Sequence, residues 1–259
     1  MLEREAGLKR NVSEVNALRV KARFDDPYLL VQEKSVIPWE EIDRAEVPGH
    51  EGEVTLLKRG TEFSIRTAGT ELMNSRLHGS EDALAELTCS RIKRKSGMRI
   101  LIGGLGMGYT LAAALEQSKP DTLITVSELI PAVVRWNREH LRHLAGMPLD
   151  DPRVSVEEKD VVEIISKRKS AWDAILLDVD NGPDGLTRKA NGRLYDRSGL
   201  KTSFSALCPG GILAVWSSGA DKAFTRRLKQ CGFQTETVTV PARKPGKGGR
   251  HTIWLAGKS

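Results

Sequence analysis

Cysteine is scarce in this chain of 259 residues: Cys89, Cys208 and Cys231 stand far apart and odd in number. That excludes a disulfide scaffold and any metal site of Cys-x-x-Cys spacing. Aromatics are thin as well, at 5% of residues. None interleaves with the basic clusters SRIKRKSGMR (90–99) and PARKPGKGGR (241–250), so neither cluster has the stacking side chains of a single-strand nucleic-acid platform. No apolar run approaches the ~18 residues of a membrane span. The opening MLEREAGLKRNVSEV has no apolar stretch of the kind a signal peptide carries. Repeats and low-complexity segments are missing too. These gaps lead to the expectation of a cytoplasmic protein with reduced, buried, inert thiols and no membrane partner.

What is present suits a globular protein with a sizeable core: 39% hydrophobic and 29% charged residues. The net charge of +6 leaves two readings of the basic clusters, solvated loops or a nucleic-acid contact.

The chain changes character along its length. Over 1–50 the pattern is weak; SEVNALRVKARF reads as a short helix capped by Ser13 and PYLLVQE as a strand. From 53, EVTLLKRGTEFSIRTAGTELMNS alternates in polarity and breaks at Arg59-Gly60 and Ala68-Gly69, as an antiparallel meander does. SEDALAELTCSRI (80–92) has helical spacing, with Ser80 placed as a cap. From Met98 onward strands alternate with helices. MRILIGG, TLITVSEL, VSVEEKD, WDAILLDVD and the end of LKTSFSALCPGGILAVWSS read as strands, with helices between them. FQTETVTVPA and HTIWLAGK follow as two last strands. Such alternation predicts an α/β fold with a Rossmann-like doubly wound sheet. The expected division is a small β-rich segment over 1–80 and a Rossmann-like catalytic domain over 81–259.

The densest signal is LIGGLGMGYTLAAAL (101–115). Gly103, Gly104, Gly106 and Gly108 fall within six residues, between a predicted strand and a predicted helix. Glycine clusters cost backbone entropy; a tight strand-to-helix turn explains them, and so does a ligand lying on bare backbone. The dinucleotide fingerprint G-x-G-x-x-G fails, because Tyr109 stands where its third glycine belongs. The spacing G-x-G-x-G resembles the first motif of class I S-adenosylmethionine-dependent transferases. Glu128 ends the next strand, 24 residues beyond Gly104, where an acid can accept from ribose hydroxyls. Asp160 follows the third strand; the resemblance implies an adenine contact, and a helix N-cap is its alternative. Asp178, Asp180 and Asp184 cluster in LLDVDNGPDG beyond the fourth strand. Crowded carboxylates supply a base and attract a cationic amine, while the same residues also favour turns.

GTELMNSRLHGSEDALAEL, ILIGGLGMGYT, VSELIPAVV, WDAILLDVDNGPDG and LYDRSGLKTSFSALCPGGILAVW occur in this order over roughly 53–219. In these stretches the chain resembles the spermidine synthase family of polyamine aminopropyltransferases. The resemblance implies a small β-domain ahead of a Rossmann-like domain. Asp180 would deprotonate the attacking amine, with Asp178 assisting and also binding the cofactor. Asn74, Asp184 and Tyr195 would lie by the substrate, and core packing is the other explanation of Tyr195. The family's loop reads G-G-G-D-G, with its Asp on the aminopropyl amine, whereas this chain has Met107 and no acid there. Asn74 and Glu86 are the nearest counterparts of the family's polyamine-covering residues.

The expected function is therefore transfer of a methyl or aminopropyl group to a small-molecule acceptor of amine type. The donor is S-adenosylmethionine or its decarboxylated form, with methyl slightly favoured and no metal required. The oligomeric state is left open; the resemblance implies that the meander at 53–75 can pair with a second copy in a homodimer. A methyltransferase directed at RNA or DNA is the second reading, although no N/D-P-P-Y/F/W tetrad follows the fourth strand. A non-catalytic nucleoside-binding module is the third. His140 and His143, spaced i, i+3, read as a solvated helix face or, less well, as a metal pair.

Overall fold

Two sheets organise the chain in its computed structural model, which describes residues 37–49, 51–93, 96–179, 192–243 and 247–259. The first is an antiparallel meander of β1 (Glu40–Glu46), β2 (Glu53–Arg59), β3 (Glu62–Thr67) and β4 (Thr70–Asn74), in that spatial order. The second has seven strands: β5 (Arg99–Gly103), β6 (Leu123–Ser127), β7 (Val154–Glu157), β8 (Trp172–Leu177), β9 (Leu207–Ser217), β10 (Gln234–Arg243) and β11 (Lys247–Gly257). Their order is β10-β11-β9-β8-β5-β6-β7. Only β11 runs antiparallel to its neighbours, β9 and β10. The helices are α1 (Gly79–Arg91), α2 (Tyr109–Gln117), α3 (Pro131–Arg138), α4 (Val161–Ser166), α5 (Gly192–Tyr195), α6 (Arg197–Ala206) and α7 (Lys222–Gln230). Trp39–Ser259 form one compact unit.

The chain lays β6 and β7 on one side of β5, then returns to place β8 and β9 on the other. That reversal opens a crevice at the carboxyl end of β5, the usual ligand position in such sheets. β8 is buried at all six positions, as its unbroken apolar run requires of a strand covered on both faces. One apolar core joins β5 and β6 to α1, α2, α3 and the meander, through Ile100, Ile102, Leu84, Leu111, Trp136, Leu56 and Phe63. The other packs Leu101, Ile175, Leu177, Leu200, Phe224 and Trp254 on the opposite face. Each fully buried side chain of this size contributes about 1.5–3 kcal/mol relative to exposure.

Several sequence expectations are refined. β1 lies in the acidic segment EEIDRAE, which carries no clear alternation because this edge strand is mostly exposed. α1 begins one residue before Ser80, with His78 as its N-cap residue; Ser80 sits within the first turn and bonds elsewhere. α3 stops at Arg138, where Glu139 takes φ −112°, ψ −84°. The turn closes when the amide of Leu141 donates to the Trp136 carbonyl at 2.8 Å, so His140 and His143 do not share a helical face. The His143 ring instead packs edge-on against Phe63, centroids 5.9 Å apart. The Pro209-Gly210-Gly211 turn lies inside β9 as an irregularity, with Leu207 opposite Trp172 and Ile212 opposite Ala174. The expected helix at 13 and strand at 27–33 lie outside the described residues. Cys89 is buried and Cys208 and Cys231 are half-buried; all three are free thiols. No described helix is long and apolar enough to cross a membrane.

Candidate active site

The loop after β5 is pinned by both neighbouring strands. The amide of Asp178 donates to the Gly103 carbonyl at 2.9 Å, and the amide of Gly104 donates to the Ser127 carbonyl at 2.8 Å. Gly104 and Gly106 take φ values of +89° and +53°, in the left-handed region that favours glycine. A Cβ at Gly106 would fall 2.7 Å from the Met73 sulfur, which reaches the loop from β4. The Asn137 amide nitrogen on α3 donates to the Gly106 carbonyl at 2.8 Å and to the Val133 carbonyl at 2.9 Å. Gly108 precedes α2 as its N-cap residue, and no side chain caps that helix. The first-turn amides of α2 therefore lack a side-chain acceptor at the loop.

Glu128 directly follows β6 and is 7% exposed. Its two oxygens accept from the amides of Leu105 and Ile130, each at 2.9 Å. This anchoring ties the carboxylate to the glycine loop on one side and to the start of α3 on the other. Asp160 caps α4 by accepting from the Val162 amide at 2.8 Å. Asp178 follows β8, and its Oδ2 accepts from the Thr110 hydroxyl on α2 at 2.6 Å. Burial raises its pKa to about 6, against the opposing pull of the Thr110 hydrogen bond. Asp180 and Asp184 lie outside the described residues.

Sequence reasoning missed Glu81, in the first turn of α1. It is 8% exposed, and the Ser80 hydroxyl donates to its Oε2 at 2.5 Å. Burial, followed by the charge of Asp178, raises its pKa to about 7. Ser80 in turn meets Nδ1 of His251, from β11, at 2.8 Å. Ser80 Oγ thus lies between the Glu81 carboxylate and the His251 imidazole. His78 stacks on Tyr109, centroids 4.1 Å apart and planes 13° from parallel, and the Tyr109 hydroxyl donates to the Ser75 carbonyl at 3.2 Å. In sequence SEDALAEL reads as a helix start with Glu86 as its family counterpart, and nothing there singles out Glu81, since β11 comes 171 residues after Ser80.

At the carboxyl edge of the sheet the loop from Gly103 to Gly108 thus stands between Glu128 after β6 and Asp178 after β8, with Thr110 bonded to Asp178. Asn74 serves a turn after β4: its Oδ1 accepts from the amides of Arg76 and Leu77 at 3.0 and 3.1 Å. Tyr195 is 3% exposed and packs edge-on against Phe224 at 5.7 Å, the core role its sequence context also allowed. Among the described residues no cluster of three or more His, Cys, Asp or Glu side chains could hold a metal.

Parallel strands on both sides of β5, a terminal antiparallel β11 and an acid after β6 define a class I methyltransferase-like fold carrying an N-terminal β-sheet. Comparison with known proteins narrows the class. The polyamine aminopropyltransferase 2 of Pseudomonas aeruginosa is 31% identical over 156 residues, 55% of this chain and 42% of that protein. The polyamine aminopropyltransferase of Mycobacterium tuberculosis is 31% identical over 119 residues, 45% of this chain and 22% of that protein. The matched segment therefore spans less than half of either relative. The spermidine synthase of Thermotoga maritima superposes with a TM-score of 0.67 at 17% identity, covering 85% of this chain and 73% of that one. A spermidine synthase solved with the transition-state analogue AdoDATO gives 0.66 at 16% identity, covering 85% and 72%. No family model matches the chain. Over about half of its length the chain is similar in sequence to polyamine aminopropyltransferases, and its fold is similar to that of spermidine synthases.

Proposed function

We propose that the chain transfers an aminopropyl group from decarboxylated S-adenosylmethionine to an amine acceptor. The observation that carries this reading is the pinned loop 103–108 flanked by two acids, Glu128 anchored beside it and Asp178 opposite. The aminopropyltransferase relatives favour aminopropyl over the methyl group expected from the sequence; nothing in the comparisons favours methyl, nucleic acid as acceptor, or a non-catalytic role.

The donor's sulfonium makes the carbon to be transferred electrophilic, so the protein's work is alignment and proton removal. At Gly104 and Gly106 the missing Cβ lets the Asp178 carbonyl and the Met73 sulfur close on the loop, and the donor lies along that loop. Glu128 accepts from the ribose hydroxyls, and Asp160 lies along the same edge for the adenine amine. As the acceptor nitrogen forms its bond to carbon, the carbon–sulfur bond breaks and a neutral thioether leaves. The proton of the acceptor passes to a carboxylate, Asp180 in the first instance, with Asp178 beside it. An environment that raises the pKa of Asp178 suits that proton traffic near neutral pH. Asp184 belongs to the same acidic segment and is assigned to the acceptor side. Cytoplasmic location and pairing of two copies through the meander go with this reading.

The deciding experiment is calorimetry of the full chain with S-adenosylmethionine, its decarboxylated form and methylthioadenosine. Preference for the decarboxylated form, together with thioether release in the presence of a diamine, supports the proposal. Preference for the carboxylated donor turns it to methyl transfer, and binding of none of the three ends it.

A further inference from the structure

Charge is divided unevenly along the chain. Residues 192–259 hold twelve Lys and Arg against three Asp and Glu, whereas residues 1–191 hold 28 against 31. The positive excess therefore belongs to the C-terminal quarter alone. Such asymmetry points to a polyanionic partner when the cations share one face. The three acids of this quarter are already engaged. Asp196 caps α6 by accepting from the Gly199 amide at 2.8 Å. Asp221 caps α7 by accepting from the Ala223 amide at 2.6 Å. Glu236 accepts the Arg91 fork at 2.9 Å.

Helix α7 concentrates the cations. Phe224 and Leu228 are buried, while Lys222, Arg226 and Lys229 are exposed. Spaced i, i+4 and i+7, these three fall on one stripe, opposite the two buried side chains. The stripe is about 10 Å long at the helical rise. Like charges at this spacing work against a helix, so a counter-charge from outside stabilises it. α5 and α6 extend the stripe with Arg193, Arg197 and Lys201, all exposed. The Arg197 guanidinium donates to the Gln230 side-chain oxygen at 2.7 Å, and the Arg227 guanidinium donates to the Tyr195 carbonyl at 2.9 Å. The three helices therefore present one surface. Among the described residues none of the six exposed cations forms an ion pair, whereas Arg44, Arg59, Arg135 and Arg153 all do.

The rest of the surface selects the partner. Seating on a lipid surface needs apolar side chains turned outward. The exposed large hydrophobics are Ile37, Leu77, Leu123 and Met147, and none belongs to these helices. Unpaired bases need exposed aromatics to stack on, but Tyr195 and Phe224 are buried and Phe204 packs edge-on against Phe233, centroids 5.0 Å apart. Closely spaced phosphates match a row of lysines and arginines without either.

We infer that the exposed face of α5, α6 and α7 docks on the phosphate backbone of a nucleic-acid duplex and does not read its sequence. This face covers the core around Leu200 and Phe224, on the side of the sheet opposite α2. The duplex is a docking partner and not the group acceptor, so the inference goes beyond the transfer reaction and is tested apart from it.

The test is fluorescence anisotropy of the full chain with labelled duplex RNA and duplex DNA of about 20 base pairs, from about 50 to 200 mM salt. Lys222→Glu, Arg226→Glu and Lys229→Glu are combined in one variant. Lys58→Glu, Lys93→Glu and Lys119→Glu, in a second, make the same charge change at exposed positions elsewhere. Circular dichroism confirms folding. The α7 variant is expected to bind at least about tenfold more weakly, with a salt slope smaller by about three, and the second variant to stay within about twofold of the parent. Equal loss in both variants, or no binding by the parent at about 50 mM salt, overturns the inference. So does tighter binding to a single strand of the same length, or binding to phosphatidylserine-containing vesicles in place of the duplex. Should the reversed charges unfold the chain, Lys222→Ala, Arg226→Ala and Lys229→Ala combined provide the second arm. The slope should again fall by about three, and an unchanged slope overturns the inference.

Discussion

The Asp178 carbonyl oxygen lies so close to Gly104 that a Cβ added there would stand 2.3 Å from it. The contact joins the end of β8 to the glycine loop by backbone alone, with Gly104 at φ +89°. Gly104→Ala therefore meets both an unfavourable dihedral and a carbonyl that no rotamer change can move. A destabilisation of at least ~2 kcal/mol is expected, together with loss of nucleoside binding. Chemical denaturation and methylthioadenosine calorimetry check the two effects separately.

Asn137→Ala removes the donor that holds the Gly106 carbonyl at 2.8 Å. A half-buried acceptor left without its partner costs about 1 kcal/mol. Donor affinity should fall more than acceptor affinity, because the loop relaxes while Asp178 stays in place. Equal losses on both ligands would count against this role.

The pH dependence follows from Asp178 and Glu81. Their pKa values stand near 6 and 7, above ordinary values of 3.8 and 4.5. Between those limits the folded chain holds more protons than the unfolded one, so stability falls as pH rises. The contribution is fully present below about pH 4 and is lost through about pH 7. Thermal unfolding between pH 5 and 8 should show the decline, and Glu81→Gln should flatten it.

Asp43 behaves with the opposite sign. Hydrogen bonds from the Trp136 indole at 2.7 Å and the Arg135 guanidinium at 2.6 Å hold its carboxyl down to about 2. Its contribution is present above the ordinary 3.8 and is lost as pH falls toward 2. The site is partly solvated, so Asp43→Ala should cost only about 1 kcal/mol. A Tm drop of a few degrees at pH 7 that vanishes near pH 2 is the signature.

Asp180→Asn should abolish most turnover while leaving methylthioadenosine affinity intact. Full turnover in that variant would remove Asp180 from the chemistry and shift proton removal to Asp178.

Local pattern alone determined a good deal. Alternation over 53–74 gave the meander, the apolar runs at 99–103 and 172–177 gave the two inner strands, and four glycines between a strand and a helix marked the crevice. Glu128 and Asp178 could be placed because both stand directly after strands, where chain direction alone sets them at the carboxyl edge of the sheet. Tertiary structure decided the rest. The end of α3 at Arg138 depends on a turn against the meander, which no helical periodicity encodes. Tyr195 could be placed against Phe224 only once α5 and α7 had packed together. Glu81 became visible only when β11 brought His251 to Ser80 across 171 residues. Sequence spacing reports neighbours along one element, whereas burial and charge pairing arise between elements that only folding brings together.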